Sequence, residues 1–92
     1  MKNYNLPGTR YNRLFTTILK TDVEVGLTFS TIALQSVRNE SKRERNRKNA
    51  RIAHDSVLRH VQQLSLSGED MAEIYSKLAQ LKGALLELGE SF

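Results

Sequence analysis

The densest run of chemistry-bearing side chains is Lys42-Arg43-Glu44-Arg45-Asn46-Arg47-Lys48-Asn49-Ala50-Arg51, where six basic residues stand against one acid. Phosphate oxygens are held by flexible or forked cations arrayed along one face. Arg43, Arg45, Arg47, Lys48 and Arg51 therefore form a candidate surface for nucleic acid or another anion. The competing reading is a solvated helical face, with Glu40, Glu44 and Lys48 partly paired at four-residue spacing. Other chemistry is sparse. His54 and His60 are six residues apart, do not share a helix face, and lack a carboxylate at ligand spacing, so no metal site is expected. Without cysteine there is no disulfide framework, thiolate site or cysteine nucleophile. The serines sit mostly at element boundaries, where capping explains them. No catalytic constellation emerges, and a bundle of this size offers little room for a pocket of about 300 Å³ or more. The expectation is a non-enzyme without metal or cofactor.

Two resemblances touch the second half of the basic run. The asparagine, arginine and alanine of residues 42–51 resemble a basic leucine-zipper region, but Ile52, Ala53, His54 and Asp55 follow where further bases belong. The helix then meets Ser-Leu-Ser-Gly before a zipper can form. The stretch Asn49-Ala50-Arg51-Ile52-Ala53-His54-Asp55-Ser56-Val57-Leu58-Arg59 resembles the second helix of a single tetratricopeptide-type unit, whose small alanines admit a close partner helix. Over residues 22–65 the chain is similar to short uncharacterised bacterial helical-bundle proteins. That resemblance implies helix packing and protein contacts, and supplies no catalytic residues. No second unit follows, and His54 stands where an aromatic is usual.

The elements that must position these residues are legible from caps and periodicity. Leu6-Pro7-Gly8 is a turn signal, and residues 1–8 are expected to form a loose tail. Arg10 to Lys20 is a short basic amphipathic stretch, read as a helix over about 10–20 closing on the bundle rather than lying on an anionic membrane. Thr21 or Asp22 with Glu24 can cap a helix over about 22–38 whose inward residues are expected at Val25, Phe29, Ile32, Ala33 and Val37. A single longer helix from about residue 10 is the alternative, since no breaker separates the pieces. Ser41 with Glu44 opens a second helix over about 41–65, with Ala50, Ala53, Val57, Val61 and Leu64 inward. Projected back, that stripe meets Asn46 and Arg43, which predicts first turns without a core face.

Ser67 caps the third helix, over about 68–88, with Glu69 and Asp70 at the positive end of its dipole. Met71, Ile74, Leu78, Leu81, Leu85 and Leu88 repeat there by threes and fours, a heptad stripe that offers a surface for self-association. Glu73 and Lys77 are suited to pair, Gly83 to admit a close helix, and Gly89 to cap the C-terminus with Phe92 packing from outside.

The whole is expected to be one all-α domain over 1–92, an antiparallel three-helix bundle. Composition agrees: 39% of residues are hydrophobic and 26% charged, one proline and five glycines are present, and the formal charge is +4. A core this small hides only about 60–65% of the unfolded surface, so apolar area is left over for a partner. No stretch reaches the ~20 apolar residues of a membrane span, and no apolar leader is visible, so the default location is the cytoplasm. The expected role is a protein–protein interaction module forming a homodimer or binding another helical protein. Nucleic-acid binding through 42–51 is the alternative.

Overall fold

The computed structural model describes residues 10–92, and the expected loose tail over residues 1–8 lies outside them. The described residues form α1 (Arg10–Gln35), α2 (Glu40–Val61) and α3 (Gly68–Glu87), with no strand among them. This is the all-α three-helix bundle. The separate helix over 10–20 does not exist. Asp22 and Glu24 lie inside one continuous α1, and the alternative of a long first helix is the one realised. With no proline or glycine between Arg10 and Val25, propagation costs less than a second nucleation.

The turn between α1 and α2 is tighter than the Ser41 capping box requires. Asn39 is the N-cap: its backbone is extended (φ −131°, ψ 92°) and its side-chain oxygen accepts from the Lys42 amide at 3.0 Å. Asparagine fits that role as well as serine does. At the other end α2 stops at Val61, four residues short of expectation. The link beyond it leaves the helix so that Leu64 and Leu66 can pack on the core. Ser67 caps α3 as expected, accepting from the Asp70 amide at 3.1 Å. Gly89 closes that helix at φ 95°, where a residue with a Cβ would be strained.

Contacts fix the directions. Ala33 lies beside Arg43 and Gly26 beside Ala50 and Ala53, so α2 runs against α1. Lys20 meets Asp70 and Glu24 meets Lys77, so α3 returns parallel to α1. The core between them consists of Leu19, Val23 and Ala33 from α1, Ala50, Val57 and Val61 from α2, and Ile74, Leu78, Leu81 and Leu85 from α3 with Leu88 at its C-cap.

The inward face of α1 is only partly the expected one: Ala33 is buried and Phe29 packs against the core, but Val25 and Val37 do not face it. Leu19, Val23, Gly26, Ser30 and Ala33 point inward, whereas Val25 is 43% and Val37 74% exposed. The hydroxyls of Ser30 and Ser36 are buried but satisfied, donating to the carbonyls of Leu27 (2.8 Å) and Ile32 (2.6 Å). A buried serine of this kind costs little and keeps the face flat. The physical reason is separation. Gly26 on α1 meets Ala50 and Ala53 on α2, which lets the two helices approach closely, and the larger Val25 is left toward the outside while Phe29 packs at the edge of the core.

Gly26 marks the point of closest approach. A Cβ built there would sit 2.8 Å from Leu81 Cδ2 and 3.0 Å from Ala53 Cβ. Gly83, the glycine expected to admit a neighbour, has nothing within 4 Å and faces solvent. The two glycines therefore respond with opposite signs. Gly26→Val is expected to cost about 1–3 kcal/mol through overpacking, while Gly83→Ala is expected to add about 0.5–1 kcal/mol through helix propensity. In a domain of this size that is a fall and a rise of several degrees in the midpoint of thermal unfolding followed by circular dichroism, at about 4–8 °C per kcal/mol.

Candidate functional site

The cationic run of α2 divides once the helix is packed. Arg43 is half-buried and donates through Nη1 to the Ala33 carbonyl at 3.2 Å, joining the two strokes of the hairpin. Asn46 is buried and donates to the Lys42 carbonyl at 2.8 Å. The prediction that these first turns lack a core face is thus corrected: a helix can bury a polar residue when its own backbone satisfies it. Arg47 bridges Glu44, with Nε to Oε1 at 3.2 Å, and Glu90. Arg51 pairs with Asp55 at 3.0 Å, with Glu90 at 2.7 Å and with the Ser91 carbonyl at 2.8 Å, and lies 4.0 Å from the centroid of Phe92. Of the five candidate anion-binding residues, only Arg45 and Lys48 stay fully exposed. Three cations aimed inward do not make a phosphate track.

What Arg47 and Arg51 hold is the segment after the α3 cap. The Glu90 side chain is only 12% exposed between the two guanidiniums, and Phe92 packs at 5.0 Å edge-on to the buried ring of His54. His54 is in turn bonded through Nδ1 to Asp55 at 2.9 Å. Burial pushes the Asp55 carboxyl up, but the His54 and Arg51 hydrogen bonds outweigh it and hold the group below its ordinary value. Phe92 does pack from outside the helix. Glu90 was not singled out by its sequence position, since a lone acid after a glycine cap carries no periodic signal.

The α3 heptad stripe lies inside the monomer. Ile74, Leu78, Leu81, Leu85 and Leu88 are buried and Met71 is half-buried against them, so these six residues offer no free surface to a second copy. The stripe is zipper-like in spacing because it packs into the seam between α1 and α2. Its flank is ionic: Lys20 bridges Asp70 (2.7 Å) and Glu73 (3.1 Å), and Lys77 bridges Glu24 and Glu73, the latter at 3.9 Å.

The unpartnered apolar surface is elsewhere. Leu14 (57% exposed), Ile18 (43%) and Val25 (43%) follow one outer face of α1 at helical spacing, and Ile52 (66%) stands across from Val25 on α2. Between Val25 and Ile52 runs an open groove of about 330 Å³ whose lining includes Asp22, Phe29, Asn49 and Ala53. A second cleft of about 350 Å³ lies between α2 and α3 beside Phe92. Both exceed the room expected from chain length, because they are valleys between helix surfaces rather than cavities in the core. Among the described residues no three His, Asp, Glu or Cys side chains gather to hold a metal, and no helix is long and apolar enough to cross a membrane. Comparisons with protein-family models, curated proteins and solved structures returned no match.

Two electrostatic predictions follow from this geometry. Glu90→Gln leaves Arg47 and Arg51 facing each other across a neutral amide. The cost is expected at ~1–2 kcal/mol, between that of a surface pair and a buried one, read as a lower midpoint in urea unfolding. For the α1–α3 pair, Lys20, then Ser67, hold Asp70 below its ordinary value, while Asp70, then Glu73, raise Lys20. The Asp70 contribution is present above about pH 4 and is lost as pH falls through its lowered folded value. The Lys20 contribution is present below 10.5 and is lost as pH rises through its raised folded value. Asp70→Asn is therefore expected to flatten the acid limb of the stability–pH curve and, by removing the larger of Lys20's two partners, to weaken the alkaline limb in part, and Lys20→Met to flatten both limbs.

Proposed function

We propose that this chain is a non-enzymatic helical interaction module that self-associates through the outer face of α1 and α2. The observation that carries this reading is the exposed stripe of Leu14, Ile18 and Val25 joined across the groove to Ile52. Together these side chains leave on the order of 400 Å² of apolar surface in water, within the size of the largest patch on a typical monomer, which is often functional. A standard interface takes about 800 Å² from each partner, a little over half of it apolar. The patch supplies that apolar share.

Charge favours a second copy as the occupant. The α1 side of the groove carries Asp22, whereas the α2 edge carries the exposed cations Arg45, Lys48 and Arg59. A two-fold interface needs one patch complementary to itself, and opposite signs on its two edges meet that requirement. The same disposition argues against the nucleic-acid alternative, since the forked cations left for phosphate are few and straddle an apolar groove.

Sedimentation equilibrium tests the reading. The wild-type chain is expected to pass from monomer to dimer in the micromolar range, and the double variant Ile18→Glu, Val25→Glu to stay monomeric with unchanged helix content. Arg45→Gln with Lys48→Gln is expected to weaken the dimer only a few-fold, as rim charges do. A wild-type chain that remains monomeric at several hundred micromolar would overturn the proposal.

A further inference from the structure

We propose a second site in a different groove of the bundle: the cleft between α2 and α3 beside Phe92 binds a small amphipathic carboxylate, one negative charge on an aromatic or short aliphatic body. The cleft measures about 350 Å³, at the lower end of the range for small-ligand sites. Its walls are apolar and partly aromatic: Leu58, Leu78 and Ala79 form the sides, and the rings of Tyr75 (40% exposed) and Phe92 (48%) stand at its rim. An isolated monomer thus leaves two aromatic rings half in water at the same place, although each could bury far more against a flat ring or chain.

The polar groups select the charge. The ionisable side chains lining it besides Tyr75 are His54 and Lys82, and no Asp or Glu side chain lines the cleft. The nearest acids are already matched: Asp55 accepts from His54 and Arg51, and Glu90 sits between Arg47 and Arg51. Lys82, by contrast, makes no ion pair among the described residues, and its ammonium lies 5.1 Å from the centroid of Phe92. A cation over one aromatic ring beside an apolar trough is a receptor for an anion attached to an apolar body. His54 donates its Nδ1–H to Asp55, so Nε2 of the neutral ring is an acceptor, and the selection of an anion rests on Lys82. A dianion is disfavoured, because Arg51, the next cation, is committed to Asp55, Glu90 and the Ser91 carbonyl.

The test is a nitrogen-15 chemical-shift titration of the full chain at neutral pH with 4-phenylbutyrate, run beside the neutral 4-phenylbutanol. Shifts are expected at His54, Leu58, Ala79, Lys82 and Phe92, with a Kd below about 1 mM and at least tenfold weaker binding of the alcohol. Lys82→Gln, at an exposed helix position, is expected to weaken the acid about tenfold and leave the alcohol unchanged. Ala79→Leu, which fills the trough, is expected to weaken both. No saturable shift up to several millimolar would overturn the proposal, as would equal binding of acid and alcohol or shifts confined to the α1–α2 groove. Because Ile18→Glu with Val25→Glu leaves this cleft untouched, titrating that variant separates this site from the self-association face.

Discussion

The close contact of α1 with α2 at Gly26 organises the molecule. Leu81 from α3 and Ala53 from α2 both reach the space where a Cβ on residue 26 would stand, so all three helices meet there. The small residues in register with it, Ser30 and Ala33 on α1 and Ala50 on α2, extend the contact toward the hairpin turn. A helix drawn in along its smallest face must present larger side chains elsewhere. This is why the outer stripe of Leu14, Ile18 and Val25 exists, and why the groove beside it opens between two helices that are themselves tightly joined. Packing and exposed surface are consequences of one choice of rotation about the α1 axis.

Charge does the complementary work of holding α3 in place. Its first turns dock on Lys20 through Asp70 and Glu73, Lys77 reaches Glu24 midway, and the segment after its cap is clamped by Arg47 and Arg51 through Glu90. Each of these pairs is partly solvated, and singly such pairs contribute little. Distributed along the helix, they oppose sliding or reversal of α3, which an apolar seam repeating every three to four residues resists poorly. The basic middle and acidic end of the chain are therefore largely an internal match, and the net charge of +4 overstates the cation available to an outside partner.

How much of this was legible in the sequence depends on the kind of signal. Ser67 and Gly89 marked the ends of α3, and its heptad marked the core, because caps and periodicity are local. The rotation of α1 was not legible. Its hydrophobic spacing includes Val25 and Val37, and reading hydrophobicity alone turns both inward although both are exposed. The small residues Gly26 and Ser30, in line with Ala33, held the contrary signal, which weighs size rather than polarity. The same limit hid the fate of the α2 cations: that Arg47 and Arg51 turn toward Glu90 depends on a residue some forty positions away. Ala50 and Ala53 do admit a close helix, which meets them at Gly26, whereas Gly83 admits none.

The central claim is that α1 packs by its small face and leaves its apolar stripe to a second copy. Since the chain has no cysteine, single substitutions Val25→Cys and Ala33→Cys, labelled under native conditions with a thiol reagent over a range of protein concentrations, address it directly. The account expects Cys at position 33 to be protected at every concentration. It expects Cys at position 25 to react freely when dilute and more slowly as protein concentration rises into the micromolar range. Protection at 25 in dilute solution with free reaction at 33, or a rate at 25 that does not change with concentration, would contradict it.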